Sequence, residues 1–104
     1  MNIKISNEAQ FDFENIWLYT FETWSKEQAD RYYNLILAEI EYLTENPTSG
    51  KDYSHVRKNY YRTKVKSHFI FYRINLKESE IEIIRILHQQ MDIENRLLNI
   101  TFFS

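Results

Sequence analysis

The hydrophobic pattern of this chain changes period once, at Asn46-Pro47, and that change decides its fold class. Between Asn7 and Leu43 apolar residues recur every three to four positions; between Tyr60 and His88 they recur every two. Ala9, Phe13, Ile16, Trp17, Thr20 and Trp24 make the stripe of an amphipathic helix from residue 7 to about 23, with Ser6 as its N-cap and Glu8 in its first turn. Ser25 to Gln28 is a capping box that starts a second helix at once. Its stripe is Ala29, Tyr32, Tyr33, Ile36, Ile40 and Leu43, and it must end by Asn46, because proline restricts the residue before it and cannot donate to the ladder. Two long helices with almost no linker fold back as a hairpin.

The strands follow from the period of two. Residues 2 to 6 alternate as a short first strand, and "YYRTKVKS" alternates Tyr61, Thr63 and Val65 with Tyr60, Arg62, Lys64 and Lys66. "HFIFYRI" and "IEIIRILH" are the last two strands, joined by the polar turn "NLKESE", and "MDIENRLLN" reads as a short C-terminal helix capped by Asp92. A single Gly and a single Pro agree with few tight turns. The expected architecture is α+β, in the order β-α-α-β-β-β with a short C-terminal helix. The hairpin packs on one face of a small, mainly antiparallel sheet. The last two strands are apolar on both faces, so the C-terminal helix or a partner chain is expected to cover part of the open face. With 104 residues, positions 1–104 form one domain.

Composition removes several function classes. The chain has no Cys, so disulfides and thiolate chemistry are excluded. No signal-peptide pattern and no membrane-length apolar run is present, and the expected setting is the cytoplasm. The single Gly leaves no Gly-rich phosphate loop, and no nucleotide or other cofactor is expected. His55, His68 and His88 are scattered, without metal-ligand spacing, so no metal is expected either. The net charge of −2 hides an asymmetry: residues 1–50 are acidic, whereas six cations lie between Lys51 and Lys66, opposed only by Asp52. The two halves can pair with each other or meet different partners. Overall acidity argues against a dedicated nucleic-acid binder.

Six side chains carry possible chemistry: Arg62, Lys64, Lys66, Arg73, Arg85 and His88. Arg85 interrupts the most apolar strand and His88 ends it; three apart on a regular strand, they face opposite sides of the sheet. Arg73 and Arg85 share a face only in one of the two registers across "NLKESE". If they share it, two guanidiniums, with Lys64, make a cationic floor for phosphate or carboxylate; otherwise each settles a strand end by pairing with an acid. Arg62-x-Lys64-x-Lys66, beside Tyr60, Tyr61 and Tyr72, resembles a surface for phosphate contact and stacking, and equally an edge protected from aggregation by charge. Trp17, Trp24, Tyr32 and Tyr33 are expected in the core of the hairpin.

Together, Trp24 with Gln28-Ala29, Asn46-Pro47, Tyr61-Arg62, Ser67 through Arg73 and Arg85 through Asp92 resemble the ParE branch of the RelE/ParE toxins, over about Asn7 to Leu98. The resemblance implies a bacterial toxin of a type II toxin–antitoxin module. Such a toxin poisons DNA gyrase and blocks replication, is not itself an enzyme, and is held inactive by a ParD-like ribbon-helix-helix antitoxin in a hetero-oligomer. It meets operator DNA only through that complex. Target-binding residues would be Arg62, Lys64, Arg73, Arg85, His88 and Gln90, and antitoxin-binding residues Trp17, Trp24, Tyr33, Phe69 and Phe71. The alternatives are a RelE-like ribosome-dependent mRNA endoribonuclease, using Lys64, Arg73, Arg85 and His88, or a decayed toxin that only binds its antitoxin. The chain departs from the family pattern at Lys66, where members often carry Gly and where a looser turn is therefore implied, and at Gln90, often basic.

Overall fold

The computed structural model describes residues 1–91 and Leu97. Its elements are β1 (Asn2–Ile5), α1 (Asn7–Thr23), α2 (Lys26–Glu45), β2 (Lys51–Asp52), β3 (Tyr60–Val65), β4 (His68–Asn75) and β5 (Glu80–His88). The expected α+β order holds, with one addition: the two-residue strand β2, too short to leave a periodic signal. The five strands run in the order β1-β5-β4-β3-β2, with β1 parallel to β5 and the other pairs antiparallel. The predicted C-terminal helix, apart from Leu97, lies outside the described residues.

Both helices start where their caps place them. The Ser6 hydroxyl accepts from the Ala9 N–H at 2.9 Å and itself donates to the Ile84 carbonyl at 2.8 Å, so one side chain caps α1 and fastens it to β5. Ser25 Oγ accepts from the Gln28 N–H at 3.1 Å, and α2 stops at Asn46, one residue before Pro47. Gly50 is required by close approach: a Cβ there would sit 2.5 Å from the Tyr72 hydroxyl and 2.8 Å from the Arg62 carbonyl.

The helices cover one face of the sheet. Ala9, Phe13, Ile36, Ile40 and Leu43 pack there against Ile70, Tyr72, Ile81, Ile83 and Ile86. The opposite face carries a second cluster, in which Tyr53, Tyr60, Phe71, Ile84 and Leu87 meet Leu97. The part of the open face around Phe71 is thus covered from within the chain, by Tyr53 and Leu97. Burial against these rings pushes the Tyr60 phenol up to about 12.

Two expectations change. The β3–β4 turn is not loosened by Lys66: Val65 pairs with His68 across two residues, and Lys66 takes the left-handed φ of 54° that a glycine would adopt without strain. The Trp24 side chain is not core. It occupies the link between the helices at φ −123°, ψ −85°, a non-helical conformation that turns it outward, and it is 74% exposed.

Candidate functional site

Arg85 is positioned by an irregularity in β5. The pairing of β4 with β5 shifts between Phe71 and Tyr72, whose partners are Arg85 and Ile83, so Ile84 has no partner on β4. β1 has already ended at Ile5, and α1 takes over the edge of β5 that β1 leaves unpaired. Asp12 is the key residue. Its carboxylate accepts from Arg85 Nε and Nη2 at 2.8 and 2.9 Å, and from the Ile86 N–H at 3.0 Å. The pair is well shielded, and the Asp12 contact holds the Arg85 guanidinium more firmly protonated than usual.

Arg73 has a different partner on a different face. Its Nη2 donates to Glu82, as does Asn75 Nδ2, on the face that carries Tyr60. Burial alone would raise the Glu82 carboxyl, but the hydrogen bonds from Arg73 and Asn75 outweigh it and hold it below the usual carboxylate range. The two arginines therefore make no common cationic floor. Lys64 is opposite Phe69, on the face away from the helices, so the ribonuclease set Lys64, Arg73, Arg85 and His88 does not converge.

Arg85 and His88, expected on opposite faces, line the same groove: the pairing from Arg85 to His88 is regular, but the two hydrogen bonds to Asp12 draw the Arg85 side chain round the free edge of β5 towards α1. The groove holds about 680 Å³ between the outer flank of α1, the helix link and the end of β5. Its walls include Phe11, Tyr19, Trp24 and Met91, four large apolar side chains that stay 64%, 70%, 74% and 42% exposed. A second cleft, sharing Trp24, Tyr32 and Ser67 with it, continues towards Arg31 and Lys66. Where the two meet, the Tyr32 hydroxyl lies 2.6 Å from His68 Nδ1 and 3.1 Å from the Val65 carbonyl. The His68 ring stands edge-on to His88, 5.2 Å between centroids. Burial, helped by His88, pushes the His68 imidazole down to about 4, so it is neutral at pH 7. His88 Nδ1 accepts from the Gln90 N–H at 3.2 Å.

The remaining sequence-selected residues divide between surface and core. Phe71 is fully buried, so it is not directly available to a partner. Phe69 is half-buried beneath Arg62. Trp17 stacks on Phe21 at 5.2 Å and donates to Asp30 at 2.9 Å, and Tyr33 packs on Phe13 at 4.3 Å while remaining partly open. Gln90 is exposed in the turn after β5. Reading the apolar stripe of α1 for its core face passed over Phe11 and Tyr19, which lie between the stripe positions; an apolar residue off the stripe was the available signal.

A family model described as the ParE toxin of the type II toxin–antitoxin system parDE matches residues 3–93. A Toxin ParE1 from Caulobacter vibrioides is 36% identical over 94 residues, 90% of this chain and 95% of that protein. A Toxin ParE1 from Mycobacterium tuberculosis is 33% identical over 93 residues, 89% of this chain and 94% of that protein. A chain from the chromosomal ParDE system of P. aeruginosa has the same fold, with a TM-score of 0.72 at 18% identity over 85% of this chain and 95% of the other. With a family match across nearly its whole length and curated relatives above 30% identity, the chain belongs to the ParE toxin family of type II toxin–antitoxin systems.

Proposed function

We infer that this toxin arrests growth by binding DNA gyrase and blocking replication, as a protein-binding poison and not as an enzyme. The observation that carries this reading is the ParE toxin match across residues 3–93. The separation of Lys64 and Arg73 from Arg85 and His88 agrees with it, because in-line cleavage of RNA needs its acid, base and phosphate-binding groups around one phosphate. A ParD-like antitoxin neutralises the toxin in the cytoplasm, its apolar segment seated in the groove walled by Phe11, Tyr19 and Trp24. Exposed aromatic side chains around a concave apolar surface are what such a segment would bury.

The test is biochemical. Purified toxin added to gyrase, ATP and plasmid should inhibit supercoiling or trap cleaved DNA, while mRNA on translating ribosomes stays intact. Codon-specific mRNA cuts that disappear in Arg85→Ala and His88→Ala variants would overturn the reading.

A further inference from the structure

One charged surface is left unexplained by the groove. Lys51 on β2 pairs with Arg62 on β3, and Arg62 and Lys64 are two apart, so all three side chains share the sheet face turned away from the helices. The Arg62 guanidinium lies over the Phe69 ring at 4.1 Å and within 5.4 Å of the Tyr53 ring, and Lys64 Nζ is 5.7 Å from the Phe69 centroid. Among the described residues no carboxylate is within ion-pair distance of any of the three. The nearby acids are committed elsewhere: Asp52 alternates to the other face and binds the Ser54 N–H, Glu39 accepts from Thr63 on the helix side, and Glu82 holds Arg73.

Protection of a sheet edge accounts for the two lysines, but not for a guanidinium laid flat on an aromatic ring. A guanidinium held there has lost much of its rotamer freedom before any ligand arrives, and its N–H rim remains available. We propose that Lys51, Arg62 and Lys64 form a phosphodiester-backbone contact that seats duplex DNA without reading its sequence. Arg62 already covers Phe69, so a base has no open ring face to stack on, which favours duplex over single strand. The surface is an open sheet face and not a closed cavity, which suits an extended polyanion better than a free nucleotide. Arg62 and Lys64 are about 6.8 Å apart along the strand, close to the separation of successive phosphates. The proposal rests on the gyrase reading for its setting, since gyrase acts on duplex DNA.

The experiment contains no gyrase, so the two readings fail separately. Anisotropy of a short labelled duplex is titrated with the full chain at about 50 to 200 mM salt. Three phosphate contacts predict a fall in log affinity with log salt of slope about 2.7, at roughly 0.9 per contact. Lys51→Gln/Lys64→Gln removes two exposed cations without touching the core and should reduce the slope to about 0.9, while Lys77→Gln, in the β4–β5 turn, should leave it unchanged. Absence of saturable binding at the lowest salt, or a double variant with the wild-type slope, overturns the proposal. So does tighter binding to single strands, or displacement by an acidic peptide of equal charge as effective as unlabelled duplex.

Discussion

Arg85 interrupts an apolar strand because its partner stands 73 positions earlier, on the first helix, and the two are joined by two hydrogen bonds and largely shielded from solvent. Removing Asp12 would leave a shielded guanidinium without its anion and the Ile86 N–H without its acceptor. Asp12→Ala should therefore cost about 3 kcal/mol in urea unfolding. Arg85→Leu added to it should recover part of that loss, and a single-variant loss below about 1 kcal/mol would show that the pair does not hold α1 on the sheet. His68 gives a second measurement. Its imidazole is pushed down to about 4 in the folded chain, so between its ordinary value near 6.5 and 4 the unfolded state binds the extra proton. The stability contributed is complete above pH 6.5 and lost as the pH falls. From pH 7 to 5 the loss should be about 1 kcal/mol after allowing for solvent at a half-buried ring, and His68→Asn should flatten that slope. Equal slopes in both proteins would place the acid sensitivity elsewhere.

At the scale of elements, the sequence made some features legible and hid others for physical reasons. Caps at Ser6 and Ser25 and the stop at Pro47 are local chemistry, and both helices begin and end there. The irregularity at Ile84 is not local. "IEIIRILH" has no glycine or other break to announce it. Nor is the contact that brings Arg85 into the groove with His88 local: alternation places the two on opposite faces, and Asp12, on α1, draws the Arg85 side chain to the shared edge. Strand β2 was hidden because two residues cannot show a period. The β3–β4 turn yields a prediction. Lys66 holds φ at 54°, strained for a residue with a Cβ, so Lys66→Gly should raise stability by up to about 1 kcal/mol once glycine's larger entropy loss is set against the relieved strain. A melting temperature unchanged or lowered would sink that account.

Over the whole molecule the apolar groove and the cationic sheet face are built from different elements, α1 with the end of β5 in one case and β2–β3 in the other. Their functions should separate accordingly. Arg62→Ala/Lys64→Ala should weaken growth arrest while antitoxin affinity, read by calorimetry, stays within about tenfold, or roughly 1.4 kcal/mol. Trp24→Ala, with the side chain 74% exposed, should do the reverse: lower antitoxin affinity by more than tenfold and leave the fold intact by circular dichroism. If the antitoxin is lost from the Arg62/Lys64 variant while its fold survives, the basic strand is the antitoxin's seat and the division fails.

The parallel register of Asn2 with Glu80 means that the first strand made waits for the last. Ser6 and Asp12 wait with it, since both are fastened to β5. At about 5–20 residues per second, roughly four to sixteen seconds of synthesis separate Asn2 from Glu80. Until then the N-terminal dozen residues have no sheet to join. A message cut short upstream of β5 would therefore yield a chain whose first strand has no neighbour, and in a bacterium the toxin's activity would begin only after β5 itself has been made.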